Sequence, residues 1–98
     1  MSNRRETRRI NDLQRRISSW RASASVLEEQ VRVWLSATEE SRLKCLMSET
    51  PLATADYSEL ARQSDVALRE LSRLKSGIEE MVAERDSLLR NWSPKELI

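Results

Sequence analysis

Six of the first sixteen residues are arginines: Arg4, Arg5, Arg8, Arg9, Arg15 and Arg16. With Arg21 they make seven positive charges in the first 25 residues against Glu6 and Asp12, a local charge of +5 in a chain whose net charge is +1. A guanidinium is planar, always charged and able to grip phosphate or carboxylate through two parallel hydrogen bonds. Ile10, Leu13 and Ile17 sit among these arginines at helical spacing, so the segment reads as a basic amphipathic helix. Three kinds of polyanion suit it: nucleic-acid phosphates held in a salt-sensitive way, an acidic protein, or an anionic membrane surface. The plain alternative is a solvated helix face balanced by Glu84 and Asp86 further along the chain. No nucleic-acid-binding motif accompanies the charges.

Little else in the sequence can do chemistry. The chain has no His, which removes the commonest general base and the commonest metal ligand. Cys45 is the single cysteine. It has no partner for an intramolecular disulfide, no imidazole to activate it, and reads as a half-buried thiol in a reducing compartment. Glu79, Glu80, Glu84 and Asp86 form an acidic run, but a carboxylate metal site in a helical bundle also uses a Glu-x-x-His pattern that is missing. They read as a solvated face. The expectation is a non-enzymatic protein with no cofactor, no metal and no small-molecule substrate.

What must position these residues is helix. One glycine (Gly77) and two prolines (Pro51, Pro94) punctuate 98 residues, of which 34% are charged and 4% aromatic. That is the profile of long helices rather than strands. Stepping by three and four from Ile10 gives Leu13, Ile17, Trp20, Ala24, Leu27, Val31 and Trp34, a heptad seam. Its phase weakens into Thr38, Ser41 and Cys45, while Leu35, Leu43, Leu46 and Met47 lie on the adjacent strip. The expectation there is a stutter that rotates the buried face near residues 36–42. A second seam runs Leu60, Ser64, Ala67, Leu71, Leu74, Ile78, Met81, Arg85, Leu88 and Trp92, flanked by a row of Leu68, Val82 and Leu89. Arg85, on this seam, is expected to snorkel outward, paired with Asp12, or to set register as a buried charge.

The break between the seams contains Pro51, which disfavours helix at Thr50. Two starts compete for the second helix: Thr50 as cap with Pro51 at the first helical position, or Asp56 as cap with Glu59 completing a capping box. The second is preferred. It places helix one at about 5–47, a turn at about 48–55, helix two at about 56–92 and a short tail at 93–98. Ser25 and Glu28 form another capping-box signal that, with Ser18, Ser19 and Ser23, admits a break near residue 24 and three helices instead of two. The seam crosses that point in phase, so continuity is favoured.

The predicted fold is all-α: one domain of two long antiparallel helices in a coiled-coil hairpin. Folding about Pro51 pairs residues whose numbers sum to about 101–103. Trp34 then falls opposite Ala67, Ala24 opposite Ile78, and Trp20 near Met81, large against small as a packed core requires. A two-helix hairpin cannot cover a stripe this broad, so Trp20, Trp34, Leu35, Leu68, Val82 and Leu89 are the candidate partner interface. A second copy completing a four-helix bundle, or a partner protein's helix, is the expected occupant. No apolar run reaches the roughly 20 residues that span a bilayer, and no apolar segment follows the N-terminal charges as in a signal peptide. The predicted location is therefore cytoplasmic. The functional expectation is an interaction or assembly module, such as an adaptor, small helical chaperone or regulator. The alternative is a nucleic-acid-binding regulator that uses the arginine-rich helix, with the hairpin as its dimerisation stalk.

Overall fold

A computed structural model describes residues 2–92 and, in them, two helices: α1 over Ser2–Ser48 and α2 over Pro51–Asn91. No strand occurs among the described residues. The molecule is an all-α helical hairpin. The expected tail at 93–98, with Pro94, lies outside the described residues.

The bend is two residues long, and its chemistry is local. Glu49 takes the left-handed conformation, φ 51°, and its N–H donates to the Cys45 carbonyl at 3.0 Å. This caps the end of α1 as a glycine commonly does. The Ser48 hydroxyl donates to the Lys44 carbonyl at 2.6 Å. Thr50 then caps α2: the Ala53 N–H donates to Thr50 Oγ1 at 3.1 Å, and the Thr54 N–H to the Thr50 carbonyl at 3.1 Å. Pro51 occupies the first helical position, where its missing N–H costs nothing. The preferred start at Asp56 and the turn over 48–55 are therefore corrected. Helix two begins five residues earlier, and the Glu59 carboxylate accepts from Arg62 and Gln63 on its own helix instead of closing a capping box.

α1 runs unbroken through residues 22–26, so the three-helix alternative is also corrected. Ala24 is buried there, and the residues of the Ser25–Glu28 box stay helical. Continuity of the seam outweighs a local capping signal because a helix end would leave backbone groups to be satisfied elsewhere.

Contacts divide the chain into two compact units. The terminal unit joins α1 up to Ser23 with α2 from Leu74. The bend unit runs from Ala24 through the bend to Arg73. In the terminal unit Leu13 and Ile17 are fully buried, with Ile10, Ile78, Met81 and Leu88 half-buried around the same seam. The indole of Trp20 lies over Gly77 so closely that a Cβ there would collide with the ring. The only glycine thus makes room for a tryptophan, one turn before the Met81 expected beside it.

In the bend unit Ala24, Val31 and Leu71 are buried, and then the seam turns polar without changing phase. Ser41 and Ser64 are buried. The Thr38 hydroxyl donates to the Trp34 carbonyl at 2.7 Å and meets the Ser64 hydroxyl at 2.8 Å. Having given its only proton to Trp34, Thr38 must accept from Ser64. Their numbers sum to 102, within the expected register. The expected stutter is absent: Leu35, Leu43, Leu46 and Met47 stay outside, at 45%, 47%, 61% and 86% exposure.

Candidate partner-docking surfaces

The bend unit holds shaped apolar surface. Trp34, half-buried on α1, forms a wall between two shallow hollows. One is lined by Leu27, Trp34, Val66 and Ala67, with Arg62, Gln63 and Glu70 at its rim. The other, across the indole, is lined by Glu29, Gln30, Val33 and Trp34. Val33 and Val66 are more than half exposed, and Leu35 and Leu68 nearly so. The expected neighbours Trp34 and Ala67 do meet in one hollow, because a small residue opposite the indole leaves space beside it.

Rim charges in this unit are already paired along their own helices, at a spacing of three residues. Arg62 binds Glu59 at 2.6 Å, Arg32 binds Glu29 at 2.9 Å, Arg42 binds Glu39 at 2.7 Å and Arg73 binds Glu70 at 3.5 Å. Hydrogen bonds from Arg42 and from Arg62 with Gln63 hold the Glu39 and Glu59 carboxyls below the usual carboxylate range. These side chains are solvated, so the pairs steady the helices only slightly. They do place no unpaired acid or base inside the hollow, which leaves apolar contact as its chemistry.

The remaining interface candidates divide between the units. Leu68 lies in the bend unit, while Val82, half-buried, and Leu89, exposed, lie in the terminal unit. All three share one heptad position on α2. Trp20 is 38% exposed, but its ring is occupied by Gly77. Val26, Val33 and Val66, all exposed, lie off the two heptad seams. The seven-residue step from Val26 to Val33 is the signal that would have found two of them.

In the terminal unit polar side chains join α1 to α2. Arg9 grips Glu84 with both arms of its guanidinium, Nε to Oε2 at 2.6 Å and Nη2 to Oε1 at 3.0 Å. The Arg9 hydrogen bonds, helped by the positive charges of Arg9 and Arg16, hold the Glu84 carboxyl below its ordinary range; the same bonds raise the Arg9 guanidinium above its own. Asp12 is held by Arg9 at 3.5 Å and approached by Arg15 at 3.8 Å. Arg85, 20% exposed in its side chain, donates to Gln14 Oε1 at 2.8 Å and to Asp86 Oδ1 at 3.0 and 3.1 Å. Its partners are thus Gln14 and Asp86, not the expected Asp12. Trp92 closes the unit by donating its indole N–H to Thr7 Oγ1 at 2.9 Å. Among the described residues, Arg4, Arg5, Arg8 and Arg16 have no carboxylate within ion-pair distance.

Cys45 is half-buried, its sulfur 3.5 Å from Thr54 Oγ1. Among the described residues no group of three or more His, Cys, Asp or Glu side chains stands close enough to hold a metal ion. No helix of the described residues is long and apolar enough to cross a membrane. No protein family, curated protein or solved structure matches this chain.

Proposed function

We propose that the protein is a non-catalytic assembly module of the cytoplasm, in which the bend unit of one copy docks on that of a second to form a four-helix bundle. The observation that carries this reading is the Trp34 hollow: a half-buried tryptophan that lines one hollow with Leu27, Val66 and Ala67 and a second with Val33. Tryptophans in such partly enclosed apolar settings are the residue type most enriched among binding hot spots. The exposed Leu35, Leu68, Val33 and Val66 supply the apolar area around it, and the self-paired rim charges supply a polar border. A helical protein partner laying apolar side chains into the same hollow is the other occupant. The cytoplasmic placement rests on the lone thiol of Cys45.

Sedimentation or light scattering at micromolar concentration tests the proposal. The wild-type chain is expected to run as a dimer, and Val66→Glu, which buries a charge in the docked state, as a monomer of unchanged helicity. A wild-type chain that remains a stable, non-aggregating monomer sinks the self-assembly reading. Trp34→Ala is expected to weaken the dimer at least tenfold; an unchanged dimer would make Trp34 a packing residue only.

A further inference from the structure

The arginines of α1 fall into two sets with different work. Arg9 faces α2 and is fixed in place by Glu84 and Asp12. Arg4, Arg8 and Arg15 stand at intervals of four and seven residues, on the helix face turned away from the fully buried Leu13 and Ile17. Arg15 only approaches Asp12, at 3.8 Å with 78% of its side chain exposed, and Arg4 and Arg8 hold no carboxylate among the described residues. Between and beyond them on the same row lie Asn11 and Ser18, both exposed and uncharged. From Arg4 to Ser18 the row covers about 21 Å at 1.5 Å per residue.

We infer that this outer row is a surface for the phosphate backbone of a nucleic acid. A duplex presents a negative charge about every 1.7 Å along its axis, so a row of this length meets several phosphates at any register. Arginine suits phosphate by its fork of donors, and Asn and Ser are regular phosphate partners beside it. The face is wrong for a membrane. Interfacial helices sink apolar side chains into the lipid, whereas Leu13 and Ile17 are buried within the protein and the outer row has no apolar residue from Arg4 to Ser18. An acidic protein offers carboxylates but also needs apolar contact for affinity, and this face gives none. Contacts of this kind to phosphates carry no sequence information of their own. It stands independently of the Trp34 hollow, which lies in the other unit.

The test is binding of the full-length chain to a duplex of about 20 base pairs across a salt series, since each phosphate contact adds about 0.9 to the slope of log affinity against log salt. Three arginine contacts predict a slope of about 2.7, so affinity falls roughly fortyfold between 50 and 200 mM salt. The triple variant Arg4→Gln, Arg8→Gln, Arg15→Gln is expected to lower the slope by about 2.7, nearly all of it, while circular dichroism stays unchanged, because none of the three is in the core. Arg9→Gln is expected to leave the slope as it is. Asp12→Asn, which removes the one acid beside the row, is expected to tighten binding several-fold. No binding at 50 mM salt overturns the inference. So does a triple variant that keeps the full slope, and so does equal or stronger binding to polyglutamate or to phosphatidylserine vesicles.

Discussion

The two units solve the same packing problem in opposite ways. In the terminal unit the seam is apolar at its centre, with Leu13 and Ile17 fully buried, and the polar groups are tied at its edges by Arg9–Glu84, Arg85–Gln14 and Trp92–Thr7. In the bend unit hydroxyls take the inside, through Thr38, Ser41 and Ser64, while Val33, Val66, Leu43, Leu46 and Met47 face solvent. A seam that buries serine while leaving leucine outside gives up burial energy, roughly 25 cal/mol per Å² of apolar surface. That contrast is why the partner contact is proposed at the bend unit. Apolar surface unused within one chain is available between chains, and it is concentrated in the bend unit.

The strongest way to break this comparison is to truncate each seam. Ile17→Ala removes a fully buried side chain and should destabilise the protein by about 2–5 kcal/mol in chemical denaturation. A cost below about 1 kcal/mol would mean the terminal unit has no tight core, and the contrast would collapse. The bend unit's counterpart is Ser64→Ala, which strips the hydroxyl donated to Thr38 and should cost about 1 kcal/mol. Pairing it with Thr38→Val should recover most of that loss, because two matched apolar groups replace two matched hydroxyls. If the double variant costs the full sum of the singles, the two hydroxyls are not coupled and each is satisfied elsewhere.

Much of this arrangement was legible in the residues. The heptad seams gave two helices, and the register that joins Thr38 to Ser64 follows from folding at Pro51. What misled was composition read as burial. Leu43, Leu46 and Met47 look like a core strip, so the seam was expected to rotate toward them. Helical phase is cooperative along the whole of α1, however, and two hydroxyls that satisfy each other can hold the place of leucines. The bend was misread for a different reason. A left-handed cap is normally announced by glycine, and Glu49 carries no such sign. Nor can spacing give a side chain's reach. Arg85 could be read as pairing with Asp12 across the seam, whereas its guanidinium reaches Gln14 and Asp86. The Trp34 hollow was half legible, since its small opposing residue could be read but the exposed valines around it lie off the seams.

The finest edge of the comparison is electrostatic and belongs to the terminal unit. Arg9 holds the Glu84 carboxyl below its unfolded value. A depressed carboxylate contributes stability at pH above its unfolded range, and that contribution fades as pH falls through the lower folded value. Glu84→Gln should therefore be slightly less stable than the wild type near pH 7, equal to it near pH 2, and the difference should shrink in high salt because the pair is solvated. Denaturant midpoints for the two proteins at both pH values measure this directly. A gap that survives at pH 2 would mean that Glu84 contributes by packing rather than by charge. A gap of the opposite sign at pH 7 would mean that holding Arg9 and Glu84 together costs the protein more than the solvated pair returns.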